Sequence, residues 1–347
     1  MARTDSPRPG PTLDARLVER TARELMSAGP KPGTGEALVL VEELHRAAET
    51  STDLVLDVMD LPTDHADLVR SHVARGSVHV VDRLGWVRAN AHMFSGIVRF
   101  PAGGSLPRRL ALRAAARTGS VELGGGLAVL GSRILGQFDP FLASSHAGVG
   151  EEDARTGRLL LVAPNILDLE RELEVRPRDF RLWVALHERT HQVQFAASPW
   201  LAGVLRGHIS ALLADPSRLV EPSEIGGDPR FAQLTTLMSL LEGHADVVMD
   251  AVPTSAIPTG ATLRRLFDAR RREPGSGIRK LLGTLVGIDE KLGQYSRGAD
   301  FVRAVVAARG HAGLRPIWDD KRMMPTTAEL AHPEAWLARV PAGRGRR

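Results

Sequence analysis

Apolar residues recur along most of this chain at spacings of three and four, which is the pattern of amphipathic helices. Glycine and proline mark the breaks between the helical segments. In the first half the predicted helices are Leu13–Met26, Gly35–Ala48, a segment around Leu54–Ala74, Val78–Phe94 and Leu106–Ala116. In the second half they are Phe180–Phe195, a helix from Pro229 to about Val252, Ala261–Arg272, Gly277–Tyr295, Asp300–Arg309 and Pro333–Arg339.

One segment favours a β-strand instead. The run from Gly157 to Asn165 is apolar and is bounded by Gly157 and Pro164. It is either an edge strand that pairs with an extended substrate or a buried strand that leads into a helix. The glycines at 124–126 precede no phosphate-binding pattern and predict a flexible turn. The chain is therefore expected to be mainly α, with little β-strand.

The pattern also predicts how the chain is organised. Residues 1–11 are polar and proline-rich and are expected to be disordered. Residues 12–150 form a predicted N-terminal helical lobe, 151–340 a catalytic region, and 341–347 a basic tail. No internal repeat is visible.

Composition narrows the class of protein. The 347 residues include no cysteine, which excludes disulfides and thiolate zinc sites. No apolar run approaches the roughly 18 residues that span a bilayer, and the N-terminus does not resemble a signal peptide. We therefore expect a cytoplasmic protein with no membrane partner. The net charge is +4, and the basic clusters at 270–272 and 343–347 lack interleaved aromatic residues, so no nucleic-acid partner is predicted. A homodimer would suit so many amphipathic helices.

The segment His187-Glu188-Arg189-Thr190-His191 carries the chemistry. On a helix, residues i and i+4 lie on the same face, so His187 and His191 can bind a single metal ion. Glu188 projects about 100° further round and lies beside a metal-bound water. This arrangement is typical of a zinc metallopeptidase, with one Zn²⁺ per chain.

A catalytic zinc needs a third protein ligand. One class of zinc protease takes it from a histidine six residues after the second, with glycine at plus three. Here Ala197 and Gln194 occupy those positions, so that class is excluded. The candidate is Glu242 on the helix after Pro229, with His244 as the rival ligand.

Two neighbours of Glu242 fit the same site. Asp246 lies one helical turn beyond it and can orient the free ring nitrogen of a zinc-bound histidine. Gly243 would let helices approach closely near the metal. The alternative is that Glu242, Asp246 and Asp250 form the solvated face of a surface helix.

The quoted segments resemble a known family. The resemblance is carried by the stretches 162–165, 182–195 and 241–250. It extends over 82–90, 135–140, 291–295 and Trp336, and so covers most of the chain beyond the first tens of residues. They are similar to zincin-like metallopeptidases of actinobacteria and relatives, which are often labelled as hydrolases or as proteins associated with deazaflavin-coenzyme biosynthesis. The resemblance implies a zincin-like fold with zinc at His187, His191 and Glu242 and with Glu188 as the base. It implies no particular substrate.

The predicted function is zinc-dependent hydrolysis of peptide or amide bonds, with Glu188 as general base and a peptide or protein as substrate. The sole tyrosine, Tyr295, is the candidate donor to the oxyanion, and His208, His244 and Arg297 compete for that role. Two alternatives stay open. In one, zinc organises a non-proteolytic helical scaffold that binds partners; in the other, the motif is fortuitous and the chain is a helical binding protein.

Overall fold

The computed structural model describes residues 10–98, 100, 102, 105–141, 156–213, 229–272 and 295–341. It is mainly helical with one small sheet, which confirms the predicted fold class. The helices of the first half are α1 (Ala15–Leu25), α2 (Thr34–Met59), α3 (Thr63–Arg75), α4 (Arg83–Ile97) and α5 (Leu106–Gly131). Those of the second half are α6 (Ala163–Glu172), α7 (Pro177–Ala197), α8 (Leu201–Leu213), α9 (Pro229–Ala251), α10 (Gly260–Arg272), α11 (Tyr295–Arg309), α12 (Arg315–Asp319), α13 (Thr327–Ala331) and α14 (Pro333–Arg339).

The sheet has three strands in the order β1-β3-β2. They are β1 (Ser77–Val81), β2 (Gly136–Asp139) and β3 (Arg158–Val162). β3 pairs with β1 in parallel and with β2 antiparallel, so that Leu159 lies opposite both Val78 and Phe138. The predicted strand is therefore the central one and leads straight into α6. Of its two interpretations, the buried strand is confirmed and the edge strand is wrong.

The helix predicted over Val78–Phe94 is wrong in its first turn. Residues 77–81 form β1, and α4 begins only at Arg83. Three valines among five residues favour a strand, because β-branched side chains fit the pleated surface. Asp82 then caps α4, since its carboxylate accepts the Gly85 N–H at 2.6 Å.

The predicted turn at 124–126 is also wrong, because these glycines lie inside α5. A Cβ at Gly124 would lie 2.8 Å from the Val18 carbonyl oxygen of α1. Helices α1 and α5 thus pack too closely for any side chain at that crossing. Glycine, which usually weakens a helix, is here required by packing.

The break predicted between Ala48 and Leu54 is absent, since α2 is continuous from Thr34 to Met59. It ends instead at Asp60, which adopts the left-handed conformation with φ 49°. Pro62 precedes α3 and has no N–H to continue the α2 ladder. The boundary therefore falls at the strongest local breaker of helix structure.

Helix α7 lies at the centre of the molecule. It packs against α2, α9 and the sheet, and most of its residues are buried. The main core joins residues from these elements, among them Leu44, Leu159, Phe180, Leu186, Val193 and Leu240. Polar side chains on α7 consequently point into protein on several sides, so each of them needs a partner.

Some predictions concern residues that the structure does not describe. They are residues 1–9 of the expected disordered N-terminus, nearly all of the helix predicted over Gly277–Tyr295, and residues 342–347 of the basic tail. The division into two lobes stays a prediction, although the sheet takes strands from both sides of residue 150. Within the described ranges, no helix combines the length and the apolar character needed to cross a membrane.

Candidate metal centre

Helix α7 holds the histidine motif in a fixed position. Pro177 occupies its first turn, where a missing N–H costs nothing. Asp179 accepts hydrogen bonds from the backbone and the hydroxyl of Thr259, at 3.0 and 2.8 Å. At the other end Ser198 donates to the Trp318 carbonyl at 3.0 Å. Both ends of the helix are thus anchored to the C-terminal half of the chain.

His187, His191 and Glu242 converge on one point. The two Nε2 atoms are 3.3 Å apart, and each lies 3.5 Å from a different oxygen of Glu242. The three side chains are between 13% and 18% exposed, so water reaches them. The imidazole planes are almost perpendicular, at 88°, and both Nε2 atoms face the carboxylate.

These distances fit a tetrahedral zinc site. Ligand atoms about 2.0–2.1 Å from a tetrahedral metal lie about 3.3–3.4 Å from one another, close to the separations seen here. All three groups offer lone pairs, which need a cation or protons between them. Among the described residues this is the one cluster that could hold a metal, and it contains three ligands. A three-ligand site leaves a position for water or substrate.

The electrostatics of Glu242 suit a metal ligand. Burial alone would raise its pKa, but His191 and His187 outweigh that effect, and the pKa lies below its ordinary value. Glu242 is therefore ionised at neutral pH and can coordinate a cation.

Glu188 lies beside the three ligands and is 6% exposed. Burial raises its pKa to about 7, while the His191 charge lowers it, Glu242 raises it further, and the Phe138 N–H, which donates to the carboxylate, lowers it. A carboxyl group with a pKa near neutrality can both accept and return a proton.

Strand β2 supplies the wall behind Glu188. The Leu135 carbonyl accepts from the Val162 N–H, and the antiparallel register then turns the Phe138 N–H away from β3, at the outer edge of the sheet. A Cβ at Gly136 would lie 2.6 Å from Cγ of Glu188. The edge strand at the site is thus β2 and not the strand predicted from the sequence.

His191 has a buried partner on the side away from the ligands. Its Nδ1 lies 3.0 Å from Oε1 of Gln194. The amide nitrogen of Gln194 in turn lies 2.9 Å from the Leu241 carbonyl and 2.9 Å from Nδ1 of His244. Gln194 and His244 are both almost fully buried.

His244 is placed behind the site and is not part of the metal cluster. Its ring meets the edge of Trp318 at a centroid distance of 4.8 Å. Burial, followed by the charges of His311 and His191, lowers its pKa to about 3. It is a neutral hydrogen-bonding residue, and no contact places it as a donor to substrate.

Asp246 faces α10. Its carboxylate accepts from Arg264 at 2.9 Å, and the same guanidinium pairs with Asp250 at 2.7 Å and lies over the ring of Trp183. Asp246 is near enough to Glu242 to raise the pKa of that carboxylate. The predicted contact of Asp246 with a zinc-bound histidine stays a prediction.

Gly243 does allow close helix packing, but with α11. A Cβ there would lie 2.2 Å from the Gly298 carbonyl carbon. This crossing brings the first turn of α11, which begins at Tyr295, next to the residue that follows Glu242. The Tyr295 side chain lies outside the described part of the structure, so its catalytic role stays a prediction.

The other two candidate donors are not brought to the ligands by any described contact. His208 lies half-buried on α8, and Arg297 is exposed on α11. Within the described residues, neither is hydrogen-bonded to His187, His191 or Glu242. The donor that stabilises an oxyanion is therefore still a matter for prediction.

Sequence reasoning missed three contributors: Gly136, Phe138 and the bonding role of Gln194. Gly136 and Phe138 lie in the stretch 135–140, which carries part of the family resemblance but no metal-site spacing. Gln194 shares the helical stripe of the two histidines, but the sequence alone assigns it no hydrogen bond. Its position three residues after His191, on the same helical face, was the available signal.

The described residues thus combine a mainly helical fold with a cluster of two histidines and one glutamate that could hold a metal ion. The chain belongs to the zincin-like metallopeptidase family, whose model matches residues 13–226 and 227–337. A search of curated proteins finds no match. Among solved structures, a candidate hydrolase with a novel fold from Chloroflexus aurantiacus is 27% identical, with a TM-score of 0.67. The match covers 94% of this chain and 98% of that one.

Proposed function

We propose that this protein is a zinc-dependent hydrolase that cleaves peptide or amide bonds, with the zinc held by His187, His191 and Glu242. The observation that carries the proposal is the convergence of two imidazole Nε2 atoms, 3.3 Å apart, on the Glu242 carboxylate, with each nitrogen 3.5 Å from one of its oxygens, beside a buried glutamate. Family membership supports the same reading. The site gives no support to the more specific resemblance to actinobacterial members. The association with deazaflavin-coenzyme biosynthesis has no support from the site either, and both stay predictions.

Each side chain has a distinct task. Zinc bound by the three ligands would supply an activated water and polarise the scissile carbonyl. Glu188 accepts a proton from the attacking water at its carboxylate and later donates it to the leaving amine. The Phe138 N–H holds that carboxylate in place. A nearby dication stabilises the ionised form, so the acid limb of activity is expected below pH 7.

The outer edge of β2 would orient an extended substrate. The Phe138 N–H is donated to Glu188, but the carbonyl oxygens of Gly136 and Phe138 also point away from β3, and a peptide laid along this edge would pass close to Glu188. A peptide or protein segment is for this reason the substrate class that the site supports best.

A zinc-bound scaffold without catalysis is less well supported. A structural site usually fills its fourth position with a protein ligand, whereas the cluster among the described residues has three. A structural site also has no use for a buried carboxylate beside the ligands. Glu188 therefore favours an enzyme.

The test compares wild type with Glu188→Gln. We expect the variant to keep one zinc per chain and to hydrolyse a peptide library about 10²–10⁴-fold more slowly than wild type. The matched control is Glu122→Gln on the exposed face of α5, which should retain both. Full activity in Glu188→Gln would refute the assigned base. Stoichiometric zinc without hydrolysis by wild type would favour the scaffold, and no zinc would favour a helical binding protein.

A further inference from the structure

The buried side of the metal centre contains a hydrogen-bond chain that links the two ligand-bearing helices. Gln194 is fully buried on α7 and contacts one ligand, His191, together with the backbone of α9. The α9 atom that it contacts is the carbonyl of Leu241, the residue immediately before Glu242. A single side chain therefore touches both halves of the site.

The amide of Gln194 can adopt only one orientation. The Leu241 carbonyl oxygen only accepts hydrogen bonds, so the Gln194 atom 2.9 Å away must be the NH₂ group. The amide oxygen then faces His191 Nδ1 at 3.0 Å. Because that oxygen only accepts, the proton of the His191 ring must lie on Nδ1. The Nε2 lone pair is left facing His187 and Glu242.

His244 completes the arrangement. Its Nδ1 lies 2.9 Å from the same NH₂ group and accepts the second hydrogen of the amide. Both hydrogens and the oxygen of Gln194 are thus engaged within a region that excludes water, where such bonds are strongest. The ring of His244 is in turn packed against Trp318.

We propose that Gln194 is the positioning residue of the metal centre. It selects the tautomer of His191 that presents Nε2 to the metal, and through Leu241 it sets the distance of Glu242 from the histidines. The inference rests on the proposed function for its metal, but the tautomer itself is a property of the protein alone. Partners of this kind typically change metal affinity by about 10- to 100-fold when they are lost.

The chain offers a matched control in Gln192. It is also fully buried and lies on the same helix two residues away, where Arg189 donates to its amide oxygen. Its amide nitrogen has no hydrogen-bond partner among the described residues, so within that part of the chain it makes no hydrogen bond to the metal ligands. Replacing either glutamine with methionine removes a buried amide of the same size from α7.

The experiment measures zinc affinity by competition with a chromophoric chelator, and the melting temperature in excess chelator. We expect Gln194→Met to weaken zinc binding about 10- to 100-fold. Gln192→Met should leave the zinc affinity within about twofold of wild type, even if its melting temperature falls by as much as that of Gln194→Met. Equal affinity in the two methionine variants would overturn the proposal.

A second measurement needs no variant and no metal. Nitrogen-15 shifts of the imidazole rings in chelator-treated wild type, at a pH where the rings are neutral, report which nitrogen of His191 carries the proton. Protonated Nδ1 supports the proposal, and protonated Nε2 overturns it. If wild type binds no zinc, the proposed function fails, yet this result still decides the role of Gln194.

Discussion

Two polar clusters in this protein are built on opposite principles. Around Asn165 every donor faces an acceptor: Arg83 donates to its amide oxygen at 2.6 Å, and its amide nitrogen donates to the Gly131 and Ile134 carbonyls at 2.9 and 2.6 Å. Arg83 also pairs with Asp168 at 2.8 Å. This cluster is complete without any added group, as a structural network should be.

At the metal centre the converging groups have no such fixed pairing. Two imidazole nitrogens and a carboxylate meet across 3.3 to 3.5 Å, and their lone pairs can be satisfied together only by protons or a cation placed between them. Such an arrangement gains little for the protein on its own and becomes favourable when a cation enters. The comparison teaches that convergence of unsatisfied lone pairs, rather than burial or polarity, distinguishes a functional site from a structural one.

The largest expected effect is removal of a ligand. Glu242→Ala should weaken zinc binding more than about a hundredfold, since even residues that only support a ligand can cost that much. The stability of the metal-free protein should change by about 1 kcal/mol or less, because its contacts to the histidines are long and partly exposed. Metal content and denaturant unfolding of wild type and variant check both parts. A large loss of metal-free stability would make this cluster structural.

At Asn165 we expect the opposite result, which is a large loss of stability with little change in zinc affinity. Asn165→Leu leaves the Arg83 guanidinium and two carbonyls without their partner, which should cost about 3 kcal/mol or more of the free energy of unfolding. Zinc affinity should stay within about twofold. Asp168→Asn is the control, because its half-exposed pair with Arg83 is worth about 1 kcal/mol or less. A change in zinc affinity matching that of Glu242→Ala would break the comparison between the two clusters.

Low pH tests the comparison further through His244. This residue lies near the metal ligands but is hydrogen-bonded as a structural residue. Its pKa is about 3 when folded, well below its ordinary value of 6.5, so the unfolded chain binds the proton first. The stability contribution is complete above pH 6.5 and is lost as the pH falls toward 3, by up to about 1.4 kcal/mol per pH unit. Unfolding measured in chelator should show this slope, and His244→Gln should reduce it. An unchanged slope in the variant would assign the effect to other groups.

The smallest expected effect on stability is the loss of a helix cap at Thr326. The Thr326 hydroxyl accepts the Glu329 N–H at 3.2 Å, and the Glu329 carboxylate accepts the Thr326 N–H at 2.8 Å, which forms a capping box at the start of α13. Thr326→Ala should cost about 1 kcal/mol of stability. It should leave zinc binding unchanged, as measured by the same chelator competition. A loss well above that of Asn165→Leu would contradict the expected order of these two effects.

The sequence predicted much of the helical framework but misjudged where several elements begin and end. It placed α14 correctly and α10 to within one residue, because an amphipathic period survives in any context. It missed β1, despite its three valines, and β2, because strands this short are stable only when they pair with β3. It also mistook the glycines of α5 for a turn, since only the crossing with α1 explains them.

What the sequence determined by itself was the local chemistry. It places two histidines one helical turn apart with a glutamate beside them, and a later helix that carries further carboxylates. What only the tertiary structure decided was which groups meet. The rotation of α9 about its axis brings Glu242 to the histidines and turns His244 toward Gln194, and the register of β2 places the Phe138 N–H at Glu188. Helical spacing is fixed by the backbone of one segment. The meeting of groups 50 residues apart depends on how whole faces pack, and no local pattern encodes that.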